Sequence, residues 1–466
     1  MESEYDLIIL GGGAAAFASA IKAAEMDAKV AMIERGVMGG TCVNVGCVPT
    51  KNLLRLGEII HEHSDHAQAT TNFSSNDFRE AIHKKDELVL FLRNQKYSQV
   101  IESMPNLEFI KGQARFRSQN EIAVNGRVLR GKNIIIATGS SASVPPIKGI
   151  NEIDYLTNIE ALDLKERPDS MIVIGGRALG LEFAQIFSRL GTKVTVLQRS
   201  EKIIPDEEPE ISQMLMSYLE NEGIKILTGT SIHGVRKDVD GKVIAKVNVS
   251  GNQMELKADK LLMATGRTPN TSDLGLENVR VTTTSNGAIQ VNEEMRTNIP
   301  HIFAAGDVTG EPMLETVAAK EGSIAASNAL FGTHKKMDFS AVPHAVFTSP
   351  QVASVGITEK EAMAKFGMCS CKTLLISDVP KARIVNKLEG IVKMVVEPST
   401  QQILGVHILS DHAADIIHEA VLAVKCKLTT DDIIDTVHVF PTMSESIKLV
   451  ATSFKKDLKR LSCCAE

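Results

Sequence analysis

Two pairs of cysteines stand at opposite ends of this chain. Cys42 and Cys47 are separated by Val43-Asn44-Val45-Gly46, and Cys463 and Cys464 are adjacent, just short of the final Glu466. Thiolates hold soft metal ions and exchange electrons with disulfides. Consecutive Cα atoms lie ~3.8 Å apart across a trans peptide, short of the ~4.4–6.8 Å of an unstrained disulfide. Cys463-Cys464 is therefore better suited to holding and passing on a soft ligand than to stapling a fold. Cys42 and Cys47, just downstream of a glycine-rich loop, have the look of a redox pair.

Composition narrows the setting for that chemistry. The chain has 466 residues, 43% apolar and 23% charged, with a net charge of −6 and seven cysteines. That length predicts about two to four domains. The acidic balance argues against nucleic acid as a partner, because phosphate contacts need clustered Lys and Arg. There is no signal sequence at the acidic start Glu2-Ser3-Glu4, and no run of ~18 apolar residues for a membrane span. Seven cysteines in so long a chain are not a secreted disulfide framework, so the expectation is a cytoplasmic protein with catalytic or metal-binding thiols.

Two nucleotide loops must position the first pair. Leu7-Ile8-Ile9-Leu10 reads as a buried strand, followed by Gly11-Gly12-Gly13-Ala14-Ala15-Ala16, an Ala-rich helix to Ala24, and a strand from Lys29 to Ile33 ending at Glu34. This is a G-x-G-x-x-A dinucleotide unit. Gly11 and Gly13 let the backbone approach a pyrophosphate at the helix N-terminus, and Glu34 can accept from ribose hydroxyls. A second copy has the strand Met171–Ile174, the loop Gly175-Gly176-Arg177-Ala178-Leu179-Gly180, a helix from Leu181, and a strand Lys193–Leu197. Here Arg177 replaces the middle glycine. Gln198 and Arg199, with Lys202 nearby, replace the acid, which predicts a 2′-phosphate and hence NADPH. Two such folds suggest a flavin and a nicotinamide. The strand-to-turn signals Ile134–Gly139 and Leu261–Arg267 fall near the domain junctions, and Thr297–Asp307 reads as a strand ending in Gly306-Asp307. After about residue 340 come strands at Ile391–Val396 and Ile403–Leu409, then helices Ala413–Cys426 and Ser444–Leu458, an α+β domain without a nucleotide loop.

With Gly39-Gly40-Thr41-Cys42-Val43-Asn44-Val45-Gly46-Cys47-Val48-Pro49, the chain resembles the flavin-dependent pyridine nucleotide–disulfide oxidoreductases over essentially its whole length. The ending Leu461-Ser462-Cys463-Cys464-Ala465-Glu466, with Val379-Pro380 and Thr442-Met443-Ser444-Glu445, is similar to the branch that reduces Hg(II) to Hg(0). The resemblance implies an α/β protein with two Rossmann-like domains and a C-terminal α+β dimerisation domain. The expected division is FAD binding at 1–147 and 272–338, NADPH binding at 148–271, and dimerisation at 339–466. FAD and NADPH are the implied cofactors, and small thiol complexes of Hg(II) the implied substrate. Many members of the branch carry an extra N-terminal metal-binding module; this chain starts at the first nucleotide loop and is read as lacking it.

The resemblance also assigns roles. Cys47 becomes the flavin-proximal thiol, its pKa lowered at a helix N-terminus, and Cys42 the outer one; together they form the redox disulfide and a bis-thiolate metal site. Cys463 and Cys464 deliver Hg(II) to the pair on the other subunit of a homodimer. Lys51 and Glu182 form an ion pair beside the flavin. Further cofactor contacts are expected from Ala16, Gly40, Thr41, Ala114, Thr138, Gly139, Gly175, Gly180, Gly266, Arg267, Asp307 and Val317. Disulfide reductases of the family have His-Pro-Thr where this chain has Phe440-Pro441-Thr442, followed by Glu445. Without the acid–base His, a disulfide is the less suitable substrate, and His438 is too far along a strand to replace it. An aromatic that covers the flavin in many relatives is here Ala178. The remaining readings are a low-molecular-weight disulfide reductase of glutathione or lipoamide type and a non-catalytic thiol sequestering metal. His61, His63 and His66 are expected at a solvated helix end or loop. Cys369 and Cys371 share a face if that segment is a strand; they could hold a soft metal, but the bland reading is preferred. Cys426 is expected in the core.

Overall fold

The structure, a computed structural model, describes residues 4–67, 73–310, 312–460 and 462, without the side chains of 64–67. Cys463 and Cys464 lie outside the described residues, as does the side chain of His66.

The first nucleotide unit forms as its pattern predicts. The apolar strand Tyr5–Leu10 pairs in parallel with Val30–Glu34 on one side and Arg127–Ile136 on the other, with Leu7 opposite Val30 and Leu10 opposite Ile136. Leu107–Lys111 extends one edge, and Ile302–Ala304 adds in parallel beyond Arg127–Ile136. Leu7 to Leu10 are fully buried because both sheet faces are covered. On one face the helix Ala14–Ala24 packs against the helix Glu315–Phe331. A Cβ on Gly322 would stand 2.1 Å from the Ala15 carbonyl oxygen, so the glycine permits the close approach.

The second unit is a parallel sheet in the order Lys225–Leu227, Lys193–Leu197, Ser170–Ile174, Lys260–Met263, with an antiparallel sheet of Thr230–Lys237, Val243–Val249 and Asn252–Ala258 beside it. The short strands Ser140–Ala142 and Arg267–Pro269 pair antiparallel where the chain passes between the two units. From His344 onward the fold is a five-stranded antiparallel sheet, with Ser370–Leu375 at one edge and His344–Val346 at the other. Helices Ala413–Lys425 and Glu445–Thr452 contribute to its buried core. This is the α/β architecture with an α+β C-terminal domain that the sequence predicts.

Three local expectations are corrected. The second-loop helix begins at Ala178, not Leu181. The last long helix ends at Thr452 rather than Leu458, because the Thr452 and Ser453 hydroxyls donate to the Lys448 and Val450 carbonyls and compete with continuation. Cys426 is exposed. Its helix buries Ile416, Ile417, Ala420 and Ala423 on one face and leaves Leu422 in solvent on another, so apolar composition alone misplaced the thiol.

Candidate active site

Cys42 lies on the short helix Gly40–Val45, and Cys47 is the first residue of the helix Cys47–Ala67. Gly46 breaks the path between them at φ −132°, ψ −116°. Pro49 sits in the first turn, where its missing N–H costs nothing. Gly40 adopts φ +63°, and a Cβ there would fall 2.7 Å from the Cα of Gly13. Glycines on both sides of this contact let the cysteine segment lie directly on the first nucleotide loop.

The two thiols are free and divide their ionisation. The hydrogen bond from Cys42 holds the Cys47 thiol below its ordinary range, and the Lys51 charge assists against burial. The same bond, with burial and the nearby Glu315 carboxylate, pushes Cys42 up. A helix N-terminus favours the thiolate further. The more acidic thiol of the pair is therefore Cys47.

Lys51, one turn along the helix, is held by Glu182 at 2.7 Å. Glu182 is 3% exposed and also accepts from the Phe347 backbone N–H at 2.9 Å. The Lys51 ammonium stands 4.5 Å from the Phe347 ring centroid. One carboxylate therefore joins the cysteine helix, the second nucleotide unit and the C-terminal sheet.

The first loop is shaped for a dinucleotide. Gly11 has φ +125°, and a Cβ there would stand 2.1 Å from the Ala137 carbonyl oxygen. Gly11, Glu34, Ala114 and Thr138 line one cavity, together with Gln113 and Asn270, and Glu34 accepts from the Gly36 N–H at 2.5 Å. A cradle that only glycine can line, with a carboxylate at its rim, fits the adenosine end of FAD. Arg267 reaches Thr41 at 3.3 Å, the Ser140 carbonyl at 2.7 Å and Asp307 at 3.7 Å. Gly306 donates to the buried Glu321 at 2.7 Å, whose carboxyl is pushed up to about 7 by burial. Gly139 and Gly266 hold positive φ at the two junctions. Ala16 and Val317 are buried in the core of this unit.

The second loop has the same shape. A Cβ on Gly175 would stand 2.2 Å from the Ala264 carbonyl oxygen, and one on Gly180 1.9 Å from that of Gly175. The missing middle glycine does not disturb it, because Arg177 points out to pair with Asp206. Gln198 turns inward and accepts from the Gly176 N–H at 2.8 Å, while Arg199 is exposed beyond the strand. Gln198 holds the position that Glu34 has in the first unit, and the exposed guanidinium of Arg199, one residue on, fits a 2′-phosphate.

In the C-terminal domain Phe440 is 44% exposed. Glu445, at the start of its helix, has a buried Oε2 without a hydrogen-bond partner among the described residues, and burial raises its carboxyl pKa. His438 is occupied, bonded to Glu419 at 2.7 Å and to the Thr436 carbonyl at 2.9 Å.

The profile of the pyridine nucleotide-disulphide oxidoreductases matches residues 5–322, and that of the family's dimerisation domain matches residues 342–451. The chain belongs to this family. Its dimerisation domain makes the protein a homodimer. Mercuric reductase of Lysinibacillus sphaericus is 44% identical over all of this chain and 85% of that protein. Mercuric reductase of Bacillus cereus is 41% identical over 99% of this chain and 73% of that protein. Among solved structures, a Cu(II) complex of the HOCl-induced flavoprotein disulfide reductase RclA from Escherichia coli superposes with a TM-score of 0.88 at 30% identity, covering 98% of this chain and all of that one.

Two residues that sequence reasoning passed over belong to the site. The Glu315 carboxylate lies beside Cys42 and helps to raise its thiol, and Phe347 lies under Lys51. Only tertiary packing brings them there. The histidine cluster is within the helix Cys47–Ala67. His61 lies 3.8 Å from Glu222, and Glu62 pairs with Lys387 at 2.6 Å. Among the described residues no helix is long and apolar enough to cross a membrane.

Proposed function

We propose that this homodimer is an NADPH-dependent FAD enzyme of the cytoplasm that reduces Hg(II) to Hg(0) at Cys42 and Cys47. The observation that carries the reading is Phe440. A disulfide reductase must protonate a leaving thiolate, and Phe440 has no proton to give, while Glu445 stands without the histidine it would orient. Two-electron reduction of a metal ion leaves no organic thiolate to protonate. The identity to mercuric reductases along the whole chain supports the same substrate.

Bound FAD supplies the two-electron relay from NADPH to the cysteine-held metal. Gly11, Gly13, Glu34, Thr41, Arg267 and Asp307 would hold that cofactor, and Gly175, Gly180 and Arg199 the NADPH. The Cys47 thiolate takes one coordination position on Hg(II). Cys42 takes the second as its proton leaves past Glu315. Lys51, fixed by Glu182, keeps a positive charge beside the site as electrons arrive. Cys463 and Cys464 of one subunit collect Hg(II) from small thiols and pass it to Cys42 and Cys47 of the partner subunit. Each transfer exchanges one thiolate for another, so the ion is never free. Two electrons from NADPH convert Hg(II) to Hg(0), with NADP⁺ and a proton as the other products.

The test is NADPH oxidation with Hg(II) in excess thiol, with the vapour trapped. Elemental mercury matching the NADPH consumed is expected. Consumption of oxidised glutathione or lipoamide without mercury release would overturn the reading. On the same assay Arg199→Glu should lower kcat/KM for NADPH by roughly 10-fold or more, the scale of losing a charge-assisted contact, and leave NADH within about 2-fold.

A further inference from the structure

Among the described residues, one group of three potential ligands stands close enough to hold a metal ion, and it is far from Cys42 and Cys47 in sequence. Glu359, Cys369 and Cys371 place a carboxylate oxygen and two sulfurs within 4.8 Å of one another. Thr358 caps the helix Glu359–Phe366 through a reciprocal bond with Glu361, Gly367 turns the chain back with φ +74°, and Ser370–Leu375 follows as an edge strand. The three donors thus come from a single helix–turn–strand segment whose ends are fixed. The two sulfurs are 3.4 Å apart, and all three residues are half-buried.

We infer that Glu359, Cys369 and Cys371 form a second metal site, which takes a thiophilic divalent ion of tetrahedral preference, such as Zn(II). The sulfur separation selects this class. Two sulfurs each ~2.3 Å from one ion stand ~3.8 Å apart at a tetrahedral angle but ~4.6 Å apart when collinear. The observed spacing is near the tetrahedral edge and well short of the linear geometry. Two sulfurs and one carboxylate oxygen leave a fourth position for water, as in open zinc sites.

The surrounding charge favours a cation. Cys371 lies opposite Val395 in the sheet, on the face that carries Lys393. Lys393 is paired with Glu359 at 2.7 Å, Glu208 at 2.9 Å and Glu210 at 2.9 Å. One ammonium thus faces three carboxylates, and the excess is negative. Glu208 also accepts from the Glu359 backbone N–H at 2.6 Å, which fixes the first turn of the helix against the second nucleotide unit. Uptake of M²⁺ by two thiols and one carboxylate releases two protons to solvent, with no change in oxidation state. This inference does not rest on the substrate assigned to Cys42 and Cys47.

The test is zinc content and Zn(II) titration of the reduced, FAD-loaded protein against a chromogenic chelator, in parallel for the parent and Cys369→Ser/Cys371→Ser. The difference between the two isolates this site from the other thiols. The parent should take up one more ion per chain. Glu359→Gln should bind it more weakly by roughly 10-fold or more, and Co(II) in its place should give tetrahedral thiolate absorption that the double variant lacks. Equal zinc uptake by parent and double variant would overturn the site. So would a Cys369–Cys371 disulfide that persists in the reduced parent. The double variant should keep its NADPH turnover, which shows that it is folded.

Discussion

Among the described residues two pairs of close thiols stand on different scaffolding, one across two helices and one on a helix–turn–strand segment. The charge beside the lower-pKa thiol of the first differs in sign from that beside Cys371. Cys42 and Cys47 have the Lys51 ammonium and a helix N-terminus, and one of the two is held below the ordinary thiol range. Cys369 and Cys371 have Glu359, and the Cys371 thiol is pushed up to about 12, first by burial, then by its hydrogen bond with Cys369, then by that carboxylate. The first pair holds its more acidic thiol at Cys47. In the second, Cys371 is held toward its protonated form until a cation displaces the proton. The difference teaches that a pair of cysteines is not read by spacing alone; the charge beside it decides between redox chemistry and static metal binding.

The sharpest way to break the comparison is to remove sulfur from each pair in turn. Cys47→Ser should lower Hg(II)-dependent NADPH oxidation by roughly 10³-fold or more, in the range of lost nucleophiles. Cys369→Ser/Cys371→Ser should leave kcat within about 2-fold. If both variants lose turnover alike, the two pairs do not have separate roles. A smaller effect comes from giving the first pair the environment of the second. Lys51→Glu leaves the Cys42 hydrogen bond that chiefly lowers Cys47, removes the attraction that assists it, and adds a repulsion beside Glu182. Because the Cys47 pKa is depressed in the native protein, its thiolate is present above that pKa and is lost as pH falls through it. The substitution should move this limb upward by about one pH unit or more, read as the pH profile of Cys47 alkylation in the reduced protein. An unmoved profile would show that Lys51 does not set the thiolate.

Much of the first site is legible in the sequence, because each part is fixed by a local rule. Gly11 and Gly175 are required by positive φ and a carbonyl close behind them, and Pro49 is tolerated only in a first turn. The contrast between Glu34 and the pair Gln198-Arg199 follows from where each second strand ends. What was not legible depends on packing between distant segments. Glu315 reaches Cys42 because a helix from the far end of the nucleotide unit folds back over the first loop. Phe347 meets Lys51 because Glu182 ties the C-terminal sheet down. The second pair shows both limits at once. The closeness of its thiols could be read from Cys369-Ser370-Cys371, although the strand begins only at Ser370, but the weight of carboxylates around it depends on Glu208 and Glu210, which arrive from another domain. Cys426 failed in the opposite sense, since an apolar helix has two faces and only one of them is core.

The smallest expected effect tests the charge argument at the second pair directly. Glu359→Gln removes a negative charge beside Cys371 while keeping the size of the side chain and the capped helix start. The raised pKa means that the neutral thiol is favoured, and thiolate appears only as pH climbs toward about 12. Removing the carboxylate lowers that pKa, so alkylation of Cys371 at pH 8 should quicken in metal-free protein. Burial and the Cys369 hydrogen bond are the two larger causes, and both remain. The gain should therefore be only about 3-fold to 10-fold, since a full pKa unit corresponds to ~1.4 kcal/mol, and Cys371 should remain much slower than Cys47. Residue-resolved mass spectrometry of the alkylated protein separates the two thiols. An unchanged or slower rate at Cys371 would show that Glu359 does not act on the sulfur through its charge, and the contrast between the two pairs would then rest on burial alone.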